Sequence, residues 1–307
     1  MKILFVTRTA IDYGLDTLYD GFCRVLGYKN VFDFPTKSLL HSGKEEKQRY
    51  LRYPCFFDYP STKTNEEKVK MLKNNEFDSL VIGCRSTEDF RRAPDLESKK
   101  YDRFYKLLKK KSKTIPTFLV DQGDKKGINQ KLKDEMNCKL YFKREFYPDD
   151  RKTQYALPLS FSYSEKYVPK RVRKKRLKDI FWRGKFYGGR GSILKACEEV
   201  LGKELPKETI SQKDYSKALL DHKIGLSVRG YGYDTVRYYE IPAHRTLLFS
   251  QKPRIVIENN FVDGKTAVFF ASFEELKEKL KYCLKHEDYV DKIRLKGYRW
   301  FKKYHTS

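Results

Sequence analysis

The chain lacks long hydrophobic runs, closely spaced cysteines and any Asp-x-Asp motif, and each absence excludes something. No apolar stretch approaches the roughly 20 residues of a membrane span. The opening MKILFVT reads as a strand, without the charged leader, apolar core and cleavage site of a secretory signal, so a soluble cytoplasmic protein is expected. Six cysteines, Cys23, Cys55, Cys84, Cys138, Cys197 and Cys283, are scattered without CxxC spacing. That pattern excludes a disulfide scaffold and predicts buried thiols in a reducing compartment. The five histidines, with these cysteines, show no zinc-ligand spacing. No Asp-x-Asp occurs anywhere in the chain. Acidic residues are also scarce relative to basic ones: 41 Asp plus Glu against 66 Lys plus Arg, a net charge of +25. Such an excess implies an anionic partner, either DNA or an anionic glycan or membrane surface. The densest basic stretches are PKRVRKKRLK at 169–178, KLLKKKSK at 106–113 and RWFKKYH near the end.

What is present is an alternation of apolar runs and amphipathic segments long enough for two domains. KILFVT is a continuous apolar strand, followed by Leu15, Leu18, Tyr19, Phe22 and Val25 at helical spacing up to Gly27. A helix at NEEKVKMLKNN, a strand at 78–84, a long helix over 97–113 and a strand at 116–121 continue the pattern. Strands without polar alternation are covered on both faces, which predicts parallel sheets in an α/β fold. Residues 162–178 read as a linker. Beyond it the alternation restarts with DIFWRG, two helices, and the strand KIGLSV; Ser272 with Glu275 signals the cap of a later helix. The expected division is 1–165, 175–285 and a tail helix at 286–307.

Residues 225–246, GLSVRGYGYDTVRYYEIPAHRT, carry the strongest functional signal. A strand ending in glycines lets backbone N–H groups approach phosphate oxygens, and the helix that follows adds its dipole. Arg237 supplies charge-assisted bonds, and Glu240, one turn further on, suits a ribose diol. The plainer reading is an ordinary strand-to-helix turn with Tyr231, Tyr233, Tyr238 and Tyr239 as packing residues.

The series Gly232, Asp234, Thr235, Arg237, Tyr238, Tyr239, Glu240, Ala243 resembles the donor-binding core of the spore-maturation-type glycosyltransferases. The resemblance spans most of 139–304, taking in YFKRE at 141–145, ALPLSF at 156–161, DIFWRGK at 179–185, SFEELKEKLKYCL at 272–284 and GYRWFKKY at 297–304. Ala243-His244-Arg245 departs from it, since relatives have a small residue and glycine there. The resemblance implies a GT-B fold, two Rossmann-like doubly wound domains facing across a cleft, with the tail helix crossing back to the first.

It also implies transfer of a sugar from a nucleotide-diphosphate donor, by default a UDP-sugar, to a hydroxyl of a glycan, lipid-linked or protein acceptor. Without Asp-x-Asp, the departing diphosphate is expected to be held by fixed donors and no metal is expected to be required. The implied donor set is Arg183, Gly184, Thr235 and Arg237, with Arg190 and Arg229 as second choices that also suit loop caps. Tyr231 either stacks on the base or packs, Gly232 gives clearance, and Glu240 binds the ribose. Candidate bases are Asp12, with Gly14 allowing close approach, then Asp16, which also suits a helix cap, and Asp121 at a strand end. Lys143, Arg144 and Glu145 resemble a motif at the interdomain hinge. Alternatives are a DNA glycosyltransferase acting on hydroxymethylated bases, a non-catalytic nucleic-acid-binding protein and an exostosin-like transferase.

Overall fold

The computed structural model describes residues 1–42, 53–83, 98–171, 176, 178–184, 189–208 and 210–307. Cys84, residues 172–175 and 177 of the basic linker, and residues 185–188 lie outside the described residues. The strands of the first lobe are β1 (Ile3–Val6), β2 (Val31–Phe34), β3 (Ser79–Gly83), β4 (Thr117–Asp121), β5 (Leu140–Lys143) and β6 (Ala156–Pro158). They pair in parallel in the order β2-β1-β3-β4-β5-β6. The second lobe has β7 (Lys178–Phe181), β8 (His222–Ser227), β9 (Leu247–Gln251) and β10 (Val268–Phe270), parallel in the order β10-β9-β8-β7. The continuous apolar runs are the reason: Ile3 to Val6 are all buried, as central parallel strands require.

Helices cover these sheets. In the first lobe they are α1 (Tyr13–Leu26), α2 (Asn65–Lys73), α3 (Ser98–Lys111) and α4 (Gln130–Glu135). In the second they are α5 (Arg190–Leu201), α6 (Gln212–Asp221), α7 (Val236–Ala243), α8 (Phe273–Lys285) and α9 (Glu287–Tyr304). Their ends follow local chemistry. Asp12 caps α1 by accepting from Leu15 N–H, Thr64 and Glu67 form a reciprocal capping box on α2, and Ser272 accepts from Glu275 N–H on α8. The α1 stripe is narrower than its sequence suggests. Leu15, Tyr19 and Cys23 are buried and Leu18 and Phe22 pack half-buried at the edge of the core, with Phe22 6.0 Å from the Phe5 ring, whereas Val25 is 82% exposed.

The last helix stays with the second lobe for most of its length, packing on α7 and β9. Gly297 makes that approach possible, since a Cβ there meets the Thr266 carbonyl oxygen at 2.4 Å. Only the tip returns to the first lobe. Thr306 bridges Tyr163, and Ser307 Oγ donates to Asp20 Oδ2 of α1 at 2.7 Å, a carboxylate that also receives Ser164 Oγ at 2.8 Å and Arg24 Nε at 3.0 Å. Among the described residues no helix is long and apolar enough to cross a membrane.

Candidate active site

The carboxyl ends of β7 and β8 bring together residues distant in sequence. Strand β7 runs into Trp182, Arg183 and Gly184, and β8 runs through a loop into α7. Arg237, in the first turn of α7, donates from Nε to the Arg183 carbonyl at 3.0 Å, and its guanidinium lies 4.8 Å from the centroid of the Trp182 ring. Gly184 makes room, since a Cβ there falls 2.4 Å from Arg237 Nη2. Arg183, Gly184 and Arg237 therefore form one cluster. Trp182, which the sequence reading passed over, is its floor.

Two donors at this place have no hydrogen-bond partner among the described residues: the Trp182 indole Nε1 and the Arg183 Nε, both buried. Unmatched buried donors are costly unless an acceptor arrives. Thr235 opens α7 without capping it; its Oγ1 lies 3.3 Å from Ser227 Oγ. The first turn of α7 thus presents its dipole with no side-chain oxygen over it. Glu240, one turn on, is 6% exposed. Burial and then the Asp16 charge push the Cys55 thiol of the first lobe up, and the Glu240 charge adds to that rise.

Arg190 and Arg229 are placed differently. Arg190 is buried, donates from Nε to the Arg229 carbonyl at 2.9 Å and lies over Trp182, so its guanidinium braces the loop after β8. Arg229 rests over the Tyr233 ring, and Tyr231 is 81% exposed.

The glycine loop directs two of its amides to the first lobe. The backbone N–H groups of Tyr233 and Asp234 donate to Glu145, at 3.0 Å to Oε2 and 2.8 Å to Oε1. The clearance at Gly232 serves this carboxylate, since a Cβ there meets Glu145 Oε1 at 2.3 Å. Gly14 is likewise used internally. Its missing side chain admits Gln122 from the end of β4, with Oε1 2.0 Å from the Cβ position.

On the facing first lobe, Asp12 is buried at the start of α1, paired with the partly exposed Arg8 at 2.8 Å. Its backbone N–H reaches Tyr53 Oη and Asp16 Oδ2. Asp16 is fully buried, bonded to the equally buried Lys37 and to Tyr53. Burial raises its carboxyl above the ordinary range, with Lys37 opposing and Asp12 adding to the rise. Asp121 accepts from Tyr141 Oη at 2.6 Å, Lys143 Nζ at 2.8 Å and Gly123 N–H at 2.7 Å. Asp16 and Asp121 are thus engaged by buried partners, whereas Asp12 shares its charge with a side chain open to solvent. Among the described residues no group of three or more His, Cys, Asp or Glu gathers as a metal site would.

Two parallel-sheet lobes whose strand ends carry these groups define the GT-B architecture, and solved structures of that architecture match the whole chain. An alpha-glucosyltransferase in complex with UDP-glucose and DNA containing an abasic site gives a TM-score of 0.63 at 12% identity, over 100% of this chain and 96% of that one. HepE from Anabaena, in complex with UDP-glucose, gives 0.59 at 9% identity, over 100% and 96%. A glycosyltransferase from Rickettsia africae ESF-5 gives 0.57 at 10% identity, over 99% and 94%. At such identities the likeness is one of fold. Residues 172–307, the second lobe and tail, match the family described as Glycosyl transferase-like. Among curated proteins nothing matches.

Proposed function

We propose that the protein transfers a sugar from a nucleotide-diphosphate donor, UDP-glucose or a close analogue, to an acceptor hydroxyl. The observation that carries this reading is the Arg183–Gly184–Arg237 cluster over Trp182, with two unmatched buried donors and Glu240 one helical turn away. Arg183, Arg237 and the first turn of α7 bind the diphosphate, stabilising the charge that grows as the anomeric C–O bond breaks. Glu240 accepts the ribose hydroxyls. Gly232, Arg190 and Arg229 shape the loop. On the acceptor side, Asp12 takes up the proton of the attacking hydroxyl, while Asp16 and Asp121 hold their surroundings rigid. The new glycosidic bond forms as UDP departs. The series from Gly232 to Ala243 supports placement beside the spore-maturation-type enzymes.

A DNA acceptor is the second reading, favoured by the net charge of +25 and by a structural relative solved with UDP-glucose and DNA. The test of the donor reading is thermal. UDP binding to the native state raises the melting temperature with ligand concentration, and no shift at millimolar UDP ends the proposal. The acceptor readings separate by product: glucose transferred from UDP-glucose to duplex DNA carrying hydroxymethylated bases, and not to the same duplex without them, is expected only if DNA is the acceptor, because salt-dependent binding to DNA follows from the basic charge alone.

A further inference from the structure

Glu145 is 0% exposed, and a carboxylate is buried at high cost unless its oxygens are matched. Here the matching groups are two amides of the other lobe, joined by the neighbouring Arg144, whose Nη1 donates to Glu145 Oε1 at 3.2 Å. Glu145 follows β5, and both its oxygens receive consecutive amides of the loop before α7, those of Tyr233 and Asp234. Arg144 completes the grip. Its Nη1 donates to the Asp234 carbonyl at 2.7 Å, its Nε to the Gln122 carbonyl at 3.0 Å, and its guanidinium lies 4.6 Å from the Phe161 ring centroid. The Asp234 side chain is bonded as well, accepting from Phe161 N–H at 2.7 Å and Tyr239 Oη at 2.9 Å. Every polar atom of Asp234 is thus fixed, and Asp234 immediately precedes the residue that opens α7.

We propose that Glu145 is a positioning residue for the donor site, a first-lobe latch that acts through the loop at 230–235 to set where α7 begins and hence where Arg237 and Glu240 stand. The proposal rests on the donor reading above. Glu145 does not touch the donor; it holds the two amides that would otherwise be free to rearrange, and so makes donor affinity depend on how the two lobes are docked. Gly232 is part of the device, because the loop closes over the carboxylate only where no side chain intervenes.

The test uses the full chain as wild type, Glu145→Gln and Glu145→Ala. Hydrogen exchange of the Tyr233 and Asp234 amides is read without ligand, UDP affinity by calorimetry, and KM and kcat from UDP-glucose hydrolysis. Gln keeps one acceptor oxygen, so it is expected to speed exchange at one amide and raise the UDP Kd and the UDP-glucose KM about tenfold, the worth of one charge-assisted bond, with kcat changed less than threefold. Ala gives a larger change in each; if it does not fold, the Gln variant carries the test. Exchange or KM unchanged in the Gln variant overturns the proposal, as does a loss confined to kcat, which assigns Glu145 to the chemical step. A wild type that binds no UDP overturns the donor reading and this proposal with it, whereas full UDP affinity in both variants overturns this proposal alone.

Discussion

Arg237 lies over Trp182, 4.8 Å from guanidinium carbon to ring centroid, where the missing side chain of Gly184 leaves it room. A methyl group at 184 collides with the far end of a flexible side chain, which moves at little cost. A methyl at Gly297 collides with the Thr266 main-chain carbonyl, which does not. The two substitutions should therefore split. Gly184→Ala is expected to cost under about 1 kcal/mol of stability yet weaken UDP binding about tenfold, while Gly297→Ala costs about 1–3 kcal/mol and leaves UDP affinity intact. Urea unfolding and calorimetry on the same preparations decide it, and equal effects of both on UDP affinity would sink the placement of the diphosphate at Arg237.

Asp12 and Asp16 are one helical turn apart, and their environments assign them different work. Asn at position 12 still caps α1, so Asp12→Asn should fold, bind UDP as the wild type does and lose about 100-fold or more in kcat. Asp16→Ala strands the buried Lys37 ammonium and should destabilise by about 3–5 kcal/mol. An Asp12→Asn enzyme with undiminished kcat removes that residue from the chemistry.

Much of this architecture was legible because it depends on near neighbours in sequence. The apolar runs at β1 and β8 announced parallel strands, Ser272 and Glu275 announced a helix start, and the strand ends at 183 and the helix start at 235 pointed to one crevice. What stayed hidden depends on pairs far apart. Glu145 meets an amide 89 residues away, and Lys37 meets Asp16 inside a core where a lysine is not expected. The sequence motif placed Glu145 at a hinge but held nothing to say that its carboxylate would take the amides of Tyr233 and Asp234. Trp182 was passed over, because burial and service as a platform for Arg237 have the same local signature.

Asp234 and His244 pull stability in opposite directions with pH. Burial, opposed by Arg144, raises the Asp234 carboxyl to about 7, so the folded state holds a proton that the unfolded chain has released. Its contribution is fully present below about pH 4 and is lost as pH rises toward 7. Burial lowers His244 to about 4, with Nδ1 bonded to the Glu240 carbonyl and Nε2 to Ser216 Oγ. Its contribution is present above about pH 6.5 and is lost as pH falls toward 4. Between pH 4 and 6.5, the stability of the wild type relative to Asp234→Asn should fall with rising pH. Relative to His244→Gln it should rise, each by at most about 1.4 kcal/mol per pH unit. Melting temperatures across that range test both signs, and parallel curves would contradict the assignments.

The departure at Arg245 has a structural explanation that makes a ranking. Arg245 adopts a positive φ of 53°, the left-handed conformation that glycine takes freely, at the end of α7 within the Ala243-His244-Arg245 stretch. A side chain there costs about 1–2 kcal/mol. It is retained because the guanidinium donates to the Pro169 carbonyl at 3.0 Å and to Tyr298 Oη at 3.0 Å, and stacks 4.1 Å from the Tyr298 ring centroid. Those contacts are worth about 1 kcal/mol each, which outweighs the backbone cost. Arg245→Gly relieves the backbone and loses the contacts, for a net loss of about 1 kcal/mol; Arg245→Ala loses the contacts and keeps the backbone cost, for about 2–3 kcal/mol. The expected order of stability is wild type, then Gly, then Ala. A glycine variant more stable than the wild type would show that the arginine contacts contribute less than the backbone conformation costs, and that position 245 in this chain is held for a reason other than stability.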